Sequence, residues 1–324
     1  MRRNALLGLA SALGSTVAGA ALYGVYRRDM ATIEAEVEAG GEFVPTDLGL
    51  IQCGREGSGP PVLVIHGAGG GYDQGLMLGR EMFGPGYDII APSRFGYLGT
   101  PVPYDPSPGA QADAHTALLE KLRIFRGVTV VGVSAGAPSA IELALRDPER
   151  VSALILAVPR AYAPDVAEVG APAESGAMMK MVMAGADFLF WAAARFARRS
   201  VVRFLGVPPQ VEAAAAPEDR KRVTQVIRSI LPLSRRIAGL QADAAAKISG
   251  WPLERIAVPT LVISAMDDLY GTLPGAGYTA EQIPNAELMV LPSGGHLMVG
   301  QGEAVRERIA SFMAQAASGA ALAA

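Results

Sequence analysis

Short apolar runs, each bounded by turn-forming residues, recur along most of the chain. The runs that predict strands are residues 61–67, 87–93, 128–134, 151–159, 259–265 and 286–292. Runs that are apolar throughout are typical of parallel strands covered on both faces of a sheet. Amphipathic helical patterns separate them, and in the last of these Val305, Ile309 and Phe312 share one face. This alternation predicts a doubly wound, mostly parallel α/β sheet with its functional site at the carboxyl ends of the strands.

The alternation stops between residues 160 and 250, where no strand pattern is visible. Alanine, methionine and arginine dominate this stretch, which predicts a helical insertion, or cap, over the active edge of the sheet. Methionine and aromatic side chains crowd its first third, and such surfaces accommodate varied apolar ligands. The alternative, that these side chains form the core of the insertion itself, stays open: Met178, Met179, Met181, Met183, Phe188, Phe190 and Trp191.

The N-terminus carries a different pattern, since residues 4–26 contain no charged side chain. A helix of this length spans about 34 Å, enough for a hydrocarbon core of about 30 Å. We therefore expect residues 1–28 to form a single-pass membrane anchor of undetermined orientation, followed by a charged spacer at 29–42. A cleaved signal peptide, and hence export, is the alternative, because Ala18-Gly19-Ala20 resembles a cleavage site.

Composition excludes several classes of function for this chain of 324 residues. Half of the residues are hydrophobic and only 18% are charged, which excludes intrinsic disorder. Lys and Arg number 28 against 31 Asp and Glu, so no basic footprint for nucleic acid exists. A single cysteine, Cys53, cannot form an internal disulfide or a thiolate metal site, three histidines do not predict a metal centre, and no motif calls for a cofactor. We expect a core at 43–159 and 251–316 and an Ala-rich tail at 317–324.

The strongest motif is Gly132-Val133-Ser134-Ala135-Gly136, which lies directly between a predicted strand and a predicted helix. This strand–turn–helix context is the one that a G-x-S-x-G nucleophile elbow requires. The glycines leave room for a tight turn that projects the Ser134 hydroxyl into the cleft. A glycine-rich turn that merely packs is the less favoured interpretation.

A serine nucleophile needs a base, and His296 follows the last predicted strand. His115 lies within a helical pattern away from any strand end, and His66 belongs to a glycine-rich loop where a structural role is expected. The penultimate strand is followed by Asp267 and Asp268, either of which could orient His296 and stabilise its imidazolium form.

The loop of residues 66–71, His-Gly-Ala-Gly-Gly-Gly, follows the first of these strands. Backbone N–H groups in such a turn can stabilise a developing oxyanion. We expect the amide of Ala135 to share that task with the amide of Ala68 or of Gly69. A phosphate-binding loop is excluded, because neither of its glycine patterns is present.

Taken together, His66-Gly67, residues 92–97, the Ser134 elbow, Asp268 and Gly295-His296 resemble the α/β-hydrolase superfamily, in order, over about residues 44–312. The resemblance implies that fold, a cap at 160–250 and Asp268 as the acid. It also implies a serine hydrolase of small-molecule substrates rather than an aspartate-dependent dehalogenase or epoxide hydrolase. The chain further resembles carbon–carbon bond hydrolases of ring-fission products, although Leu297 stands where those enzymes usually have tryptophan.

Three hypotheses about function follow. The first is a membrane-tethered serine hydrolase that cleaves an ester, or another activated acyl bond, of a small apolar substrate through an acyl-enzyme. The second places carbon–carbon bond hydrolysis or haloperoxidase chemistry on the same three residues. The third, from a different class, is a catalytically silent binding module with the hydrolase fold.

Overall fold

The computed structural model describes residues 2–164, 166, 170, 172 and 175–323, without the side chains of residues 2–18 and 319–323. The chain divides into two units. One is the single helix α1 (Arg2–Ala39), and the other begins at Gly40 and contains the sheet.

An eight-stranded sheet organises the second unit. Its strands are β1 (Glu42–Thr46), β2 (Gly49–Gly57), β3 (Pro61–Ile65), β4 (Asp88–Pro92), β5 (Val128–Val133), β6 (Val151–Ala157), β7 (Thr260–Ala265) and β8 (Ala286–Leu291). They lie in the order β1-β2-β4-β3-β5-β6-β7-β8. The pairs β1–β2 and β2–β4 are antiparallel and all others are parallel. The predicted mostly parallel sheet is confirmed.

Helices cover both faces of the sheet and create a core on each side. One face carries α3 (Pro108–Lys121), α4 (Ala137–Arg146) and α11 (Leu273–Gln282), and the other carries α2 (Tyr72–Phe83) and α12 (Gly302–Ala323). The predicted apolar face of α12 is buried, since Val305, Ile309 and Phe312 are each less than 5% exposed. Both faces of the central strands are therefore desolvated, which explains their continuous apolar sequences.

A purely helical segment connects β6 to β7 in the described part of the chain. Its helices are α5 (Gly176–Met183), α6 (Asp187–Phe196), α7 (Arg198–Phe204), α8 (Pro209–Ala214), α9 (Pro217–Ser229) and α10 (Ile237–Ala245). Two buried arginines link α10 and the residue before it to the segment after β4 and to α2. Arg94 binds Asp243 through two hydrogen bonds of 2.7 Å, and Arg236 binds Asp73 at 2.7 Å.

The prediction of a membrane anchor at residues 1–28 is wrong for the residues that the structure describes, because no helix among them is long and apolar enough to cross a bilayer. Most of that predicted segment, residues 2–18, lies outside the described side chains. Helix α1 continues past Arg27 and Arg28 to Ala39, so its second half is charged and amphipathic rather than uniformly apolar. The predicted membrane-anchored localisation and membrane partner are withdrawn with the anchor.

Candidate active site

Ser134 stands in a sharp turn between β5 and α4. Its φ of +50° lies in the left-handed region, which a side-chain-bearing residue adopts only when its surroundings enforce it. The flanking glycines make this turn sterically feasible. A Cβ on Gly132 would lie 2.7 Å from the Cβ of Ala140, and one on Gly136 would lie 2.4 Å from the carbonyl oxygen of Ile65. The local sequence therefore produces the expected elbow geometry.

His296 follows β8 in a loop that approaches this elbow. Its Nε2 lies 2.8 Å from Oγ of Ser134, and its Nδ1 lies 2.8 Å from Oδ2 of Asp268. With the proton on Nδ1, the imidazole donates to the carboxylate and accepts the hydrogen bond of the serine hydroxyl. This arrangement is that of a nucleophile, a base and an orienting acid.

The Asp268 carboxylate is almost completely buried and receives further donors. The Thr272 hydroxyl donates to Oδ2 at 2.5 Å, and the backbone N–H of Tyr270 donates to Oδ1 at 2.9 Å. Burial by itself raises the pKa of this carboxyl, but the nearby His296 and these hydrogen bonds outweigh it and lower the pKa below its ordinary value. Asp268 is thus held ionised beside the imidazole.

Asp267 has a different set of partners. Its carboxylate accepts hydrogen bonds from the N–H groups of Gly294 at 3.2 Å and Gly295 at 2.8 Å. It therefore supports the backbone of the loop that carries His296 without contacting the ring. Of the two predicted acids, the structure brings Asp268 to the histidine.

The glycine-rich loop after β3 lies next to Ser134. A Cβ on Gly67 would be 3.2 Å from the Cβ of Ser134, so the loop passes close to the nucleophile. Within the described chain, the N–H groups of Ala68 and Ala135 have no acceptor, and both residues line the cavity at Ser134. The N–H of Gly69 donates to the Tyr97 hydroxyl at 3.4 Å. Of the two predicted alternatives, Gly69 thus has an acceptor for its N–H and Ala68 has none among the described residues.

The other two histidines are buried away from the hydroxyl of Ser134. His66 accepts a hydrogen bond from the N–H of Arg94 at 3.0 Å and its Nδ1 contacts the carbonyl of Gly67 at 2.7 Å, so it holds the glycine-rich loop. Burial lowers the pKa of His66 well below its ordinary value and that of His115 to about 3. In the described part of the chain, no three His, Cys, Asp or Glu side chains are grouped to hold a metal ion.

Two residues of the site were missed by the sequence analysis. The ring of Tyr270 packs on the imidazole of His296 with centroids 4.6 Å apart, and the carbonyl of Gly206 accepts the backbone N–H of His296 at 3.0 Å. Tyr270 lies two residues after the acid, so its position in the acid loop was the one available signal. Gly206 comes from the insertion, and no local pattern could connect it to a histidine 90 positions away.

Two cavities meet at Ser134. The larger has a volume of about 410 Å³ and is lined mainly by apolar side chains of the insertion, including Met179, Val182, Met183, Phe204 and Leu240. The smaller, of about 120 Å³, is lined on its far side by Gln74, Leu78, Val226, Leu297 and Met298. Their common wall is formed by Ala68, Ser134, Leu205, Ile230 and Tyr270. The serine therefore faces a divided, mostly apolar space.

Known proteins resemble this chain at several levels. Residues 60–303 match the family model described as alpha/beta hydrolase fold. The "Putative carbamate hydrolase RutD" of Klebsiella pneumoniae is 29% identical over 254 residues, which are 74% of this chain and 85% of that protein. The "Uncharacterized hydrolase YcgS" of Bacillus subtilis is 36% identical over 121 residues, and this match spans only 40% of its length.

Solved structures with the α/β-hydrolase fold also superpose on this chain. An alpha/beta hydrolase fold protein from Nakamurella multipartita superposes with a TM-score of 0.67 at 28% identity, covering 84% of this chain and 98% of that one. An esterase from Exiguobacterium antarcticum shares the fold, with a TM-score of 0.60 at 21% identity and coverage of 85% and 99%. The family model covers more than half of the chain, and the sheet order and elbow described above are those of the same fold. The chain belongs to the α/β-hydrolase family and is a hydrolase.

Proposed function

We propose that this hydrolase cleaves an ester or a similarly activated acyl bond of a small, largely apolar molecule through an acyl-enzyme on Ser134. The observation that carries the proposal is the continuous chain Ser134–His296–Asp268, with both contacts at 2.8 Å. Such a chain allows a serine hydroxyl, otherwise a weak nucleophile, to attack near neutral pH.

In the proposed reaction, Oγ of Ser134 attacks the substrate carbonyl carbon while its proton moves to Nε2 of His296. Asp268 stabilises the imidazolium that forms, and the N–H groups of Ala135 and Ala68 donate to the oxyanion. A good donor of this kind contributes about 3–4 kcal/mol. The imidazolium then protonates the leaving group, which departs and leaves an ester on Ser134. Water, deprotonated by His296, attacks that ester and releases the acid and the free serine.

The divided cavity supports a substrate with two unequal parts on either side of the scissile bond. We propose that the helical segment at 160–250 acts as a cap and that its apolar compartment of about 410 Å³ takes the larger part. The smaller compartment of about 120 Å³ suits a compact group. The mostly apolar lining favours hydrocarbon on both sides, while Arg160 and Asp243 in the larger compartment and Gln74 and Arg222 in the smaller one offer polar contacts.

Carbamates belong among the substrates to be tested, because the RutD proteins, which carry that name, share 29% identity over most of this chain. A carbamate also presents a carbonyl carbon to Ser134 but carries nitrogen on that carbon, so the leaving group can be the same and the intermediate on the serine is a carbamoyl-enzyme. No contact among the described residues favours carbon–carbon bond hydrolysis. In addition, Leu297 directly follows His296, where carbon–carbon bond hydrolases usually have tryptophan.

The test is turnover of p-nitrophenyl esters of increasing acyl length and of p-nitrophenyl N-alkyl carbamates. Wild type is compared with Ser134→Ala and His296→Ala, and with His115→Gln as a control for the loss of a buried histidine outside the site. We expect both triad variants to lose more than about 10³-fold in kcat. Folded wild type without turnover of any member would favour the binding-module hypothesis.

A further inference from the structure

The segment that follows α7 in the insertion passes between the two loops that carry the histidine and the acid. The carbonyl oxygen of Gly206 accepts the backbone N–H of His296 at 3.0 Å and the backbone N–H of Leu269 at 3.0 Å. Leu269 directly follows Asp268. One carbonyl of the insertion therefore fastens the backbones of the base and of the acid loop to each other.

The backbone turn at Gly206, which we call the Gly206 corner, leaves no space for a side chain. Gly206 has a φ of +76°, and a Cβ there would lie 2.3 Å from Cδ2 of Tyr270 and 2.6 Å from the Cβ of His296. Contacts shorter than about 3 Å are strongly repulsive, and the positive φ disfavours any other residue. Glycine at 206 is thus required for the insertion to reach the histidine.

Tyr270 completes the junction from the side of the acid loop. Its backbone N–H donates to Oδ1 of Asp268 at 2.9 Å, and its ring packs on the imidazole of His296 at 4.6 Å between centroids. Its hydroxyl donates to the carbonyl of Phe204, the last residue of α7, at 2.8 Å. Burial raises the pKa of this phenol, which keeps it protonated as a donor. Tyr270 also lines both compartments of the cavity.

We propose that Tyr270, together with the Gly206 corner, is a positioning element that sets the orientation of the His296 ring and couples it to helix α7. The inference rests on the proposed function of the triad. The insertion then has a second role. Besides covering the substrate, it holds His296 through the carbonyl of Gly206 and through the hydrogen bond between Phe204 and Tyr270.

The test uses Tyr270→Leu, which removes the ring, and Tyr270→Phe, which keeps the ring and removes only the hydroxyl. Tyr278→Leu, in α11, is the matched control for the loss of a partly buried tyrosine ring. The readouts are kcat for p-nitrophenyl acetate, the rate of inactivation by a small fluorophosphonate, and the thermal unfolding midpoint. We expect Tyr270→Leu to lose about 10- to 100-fold in kcat and in inactivation rate.

Tyr270→Phe should recover most of both rates, and Tyr278→Leu should change the unfolding midpoint without a comparable loss of rate. Equal rates in wild type and Tyr270→Leu would overturn the inference. If Tyr278→Leu lost as much of both rates as Tyr270→Leu at the same decrease in unfolding midpoint, the inference would also be overturned.

A spectroscopic measurement separates this inference from the proposed function. The proton on Nδ1 of His296, shared with Asp268, gives a downfield proton resonance that depends on ring orientation and not on any substrate. We expect the resonance in wild type and Tyr270→Phe, and its loss in folded Tyr270→Leu. If the resonance is present in wild type and Tyr270→Phe and lost in Tyr270→Leu, but wild type shows no Ser134-dependent chemistry, only the proposed function is contradicted. An unchanged resonance in Tyr270→Leu would defeat the positioning role alone.

Discussion

Nε2 of His296 lies 2.8 Å from Oγ of Ser134, although 162 positions separate the two residues in the chain. The contact exists because β5 and β8 are parallel members of one sheet, so that the residues following them emerge at the same edge. The left-handed turn at Ser134 directs its hydroxyl toward the loop after β8.

The two adjacent aspartates should differ sharply in their effect on catalysis. Asp268→Asn keeps the shape of the side chain but loses the charge beside Nδ1 of His296, and we expect kcat to fall by about 10³- to 10⁴-fold. Asp267→Asn is the matched control, since Asp267 holds only backbone N–H groups of the histidine loop. Its kcat should fall by less than about tenfold. Steady-state kinetics on one ester decides, and the reverse order of effects would reject Asp268 as the acid.

Much of this site could be predicted from local sequence, because the elbow, the histidine and the pair of acids each follow a recognisable strand. The strand pattern by itself left Asp267 and Asp268 open, since the choice depends on which carboxylate the turn directs toward the ring, and the family resemblance pointed to Asp268. Strands β1 and β2 were also missed. β2 mixes its buried residues Ile51 and Cys53 with a glutamine, glycines and charged residues, so it lacks the continuous apolar pattern of the central strands.

The N-terminal segment was predicted wrongly for a different reason, because a local run of uncharged residues indicated a membrane anchor. Counting uncharged residues identified a run long enough for a bilayer, although many of them are glycine, serine and alanine. In the structure the helix continues through a charged, amphipathic half to Ala39. The absence of charge was therefore a weaker criterion than apolar character over the whole helix.

The buried histidine in α3 should make the protein sensitive to acid. Among the described residues His115 has no hydrogen-bond partner at either ring nitrogen, and burial lowers its pKa from 6.5 to about 3. Below pH 6.5 the unfolded chain takes up a proton that the folded chain does not, so the free energy of unfolding decreases as pH falls. At pH 5 this amounts to about 2 kcal/mol.

His115→Leu should therefore flatten the dependence of unfolding free energy on pH between 7 and 5, as measured by urea denaturation. The slope is reduced and not abolished, because the pKa of His66 is lowered in the same direction. An identical slope in wild type and His115→Leu would contradict the assignment of this acid sensitivity.

Arg236 should be among the most important residues for the stability of the insertion. Its side chain is fully buried, and it donates to Asp73 at 2.7 Å and to the carbonyl of Gly70 at 2.6 Å. Arg236→Met leaves these acceptors without their partner, and we expect a loss of about 3–5 kcal/mol in the free energy of unfolding. Arg146→Met, which breaks the exposed pair with Asp113, is the control and should cost less than about 1 kcal/mol. Equal losses in urea denaturation would refute the role of Arg236.

The size of the larger compartment should determine which acyl chains are accepted. Met183 lines that compartment and does not line the smaller one. Met183→Trp fills part of the 410 Å³, so kcat/KM should decrease steeply for longer p-nitrophenyl esters, by about 10-fold or more at the longest chain accepted by wild type. The acetyl ester serves as the internal control and should change by less than about threefold. A uniform decrease in kcat/KM across all acyl chain lengths would contradict the assignment of the larger compartment to the acyl chain.

Covalent labelling shows directly whether Ser134 is an activated nucleophile. Wild type, Ser134→Ala and the control Ser139→Ala, whose serine is buried five residues further along α4, are incubated with a fluorophosphonate and their intact masses are measured. We predict one adduct on wild type and on Ser139→Ala, mapped to the peptide that contains Ser134, and none on Ser134→Ala. Folded wild type that takes up no label, or an adduct that persists in Ser134→Ala, would contradict the claim that Ser134 is an activated nucleophile.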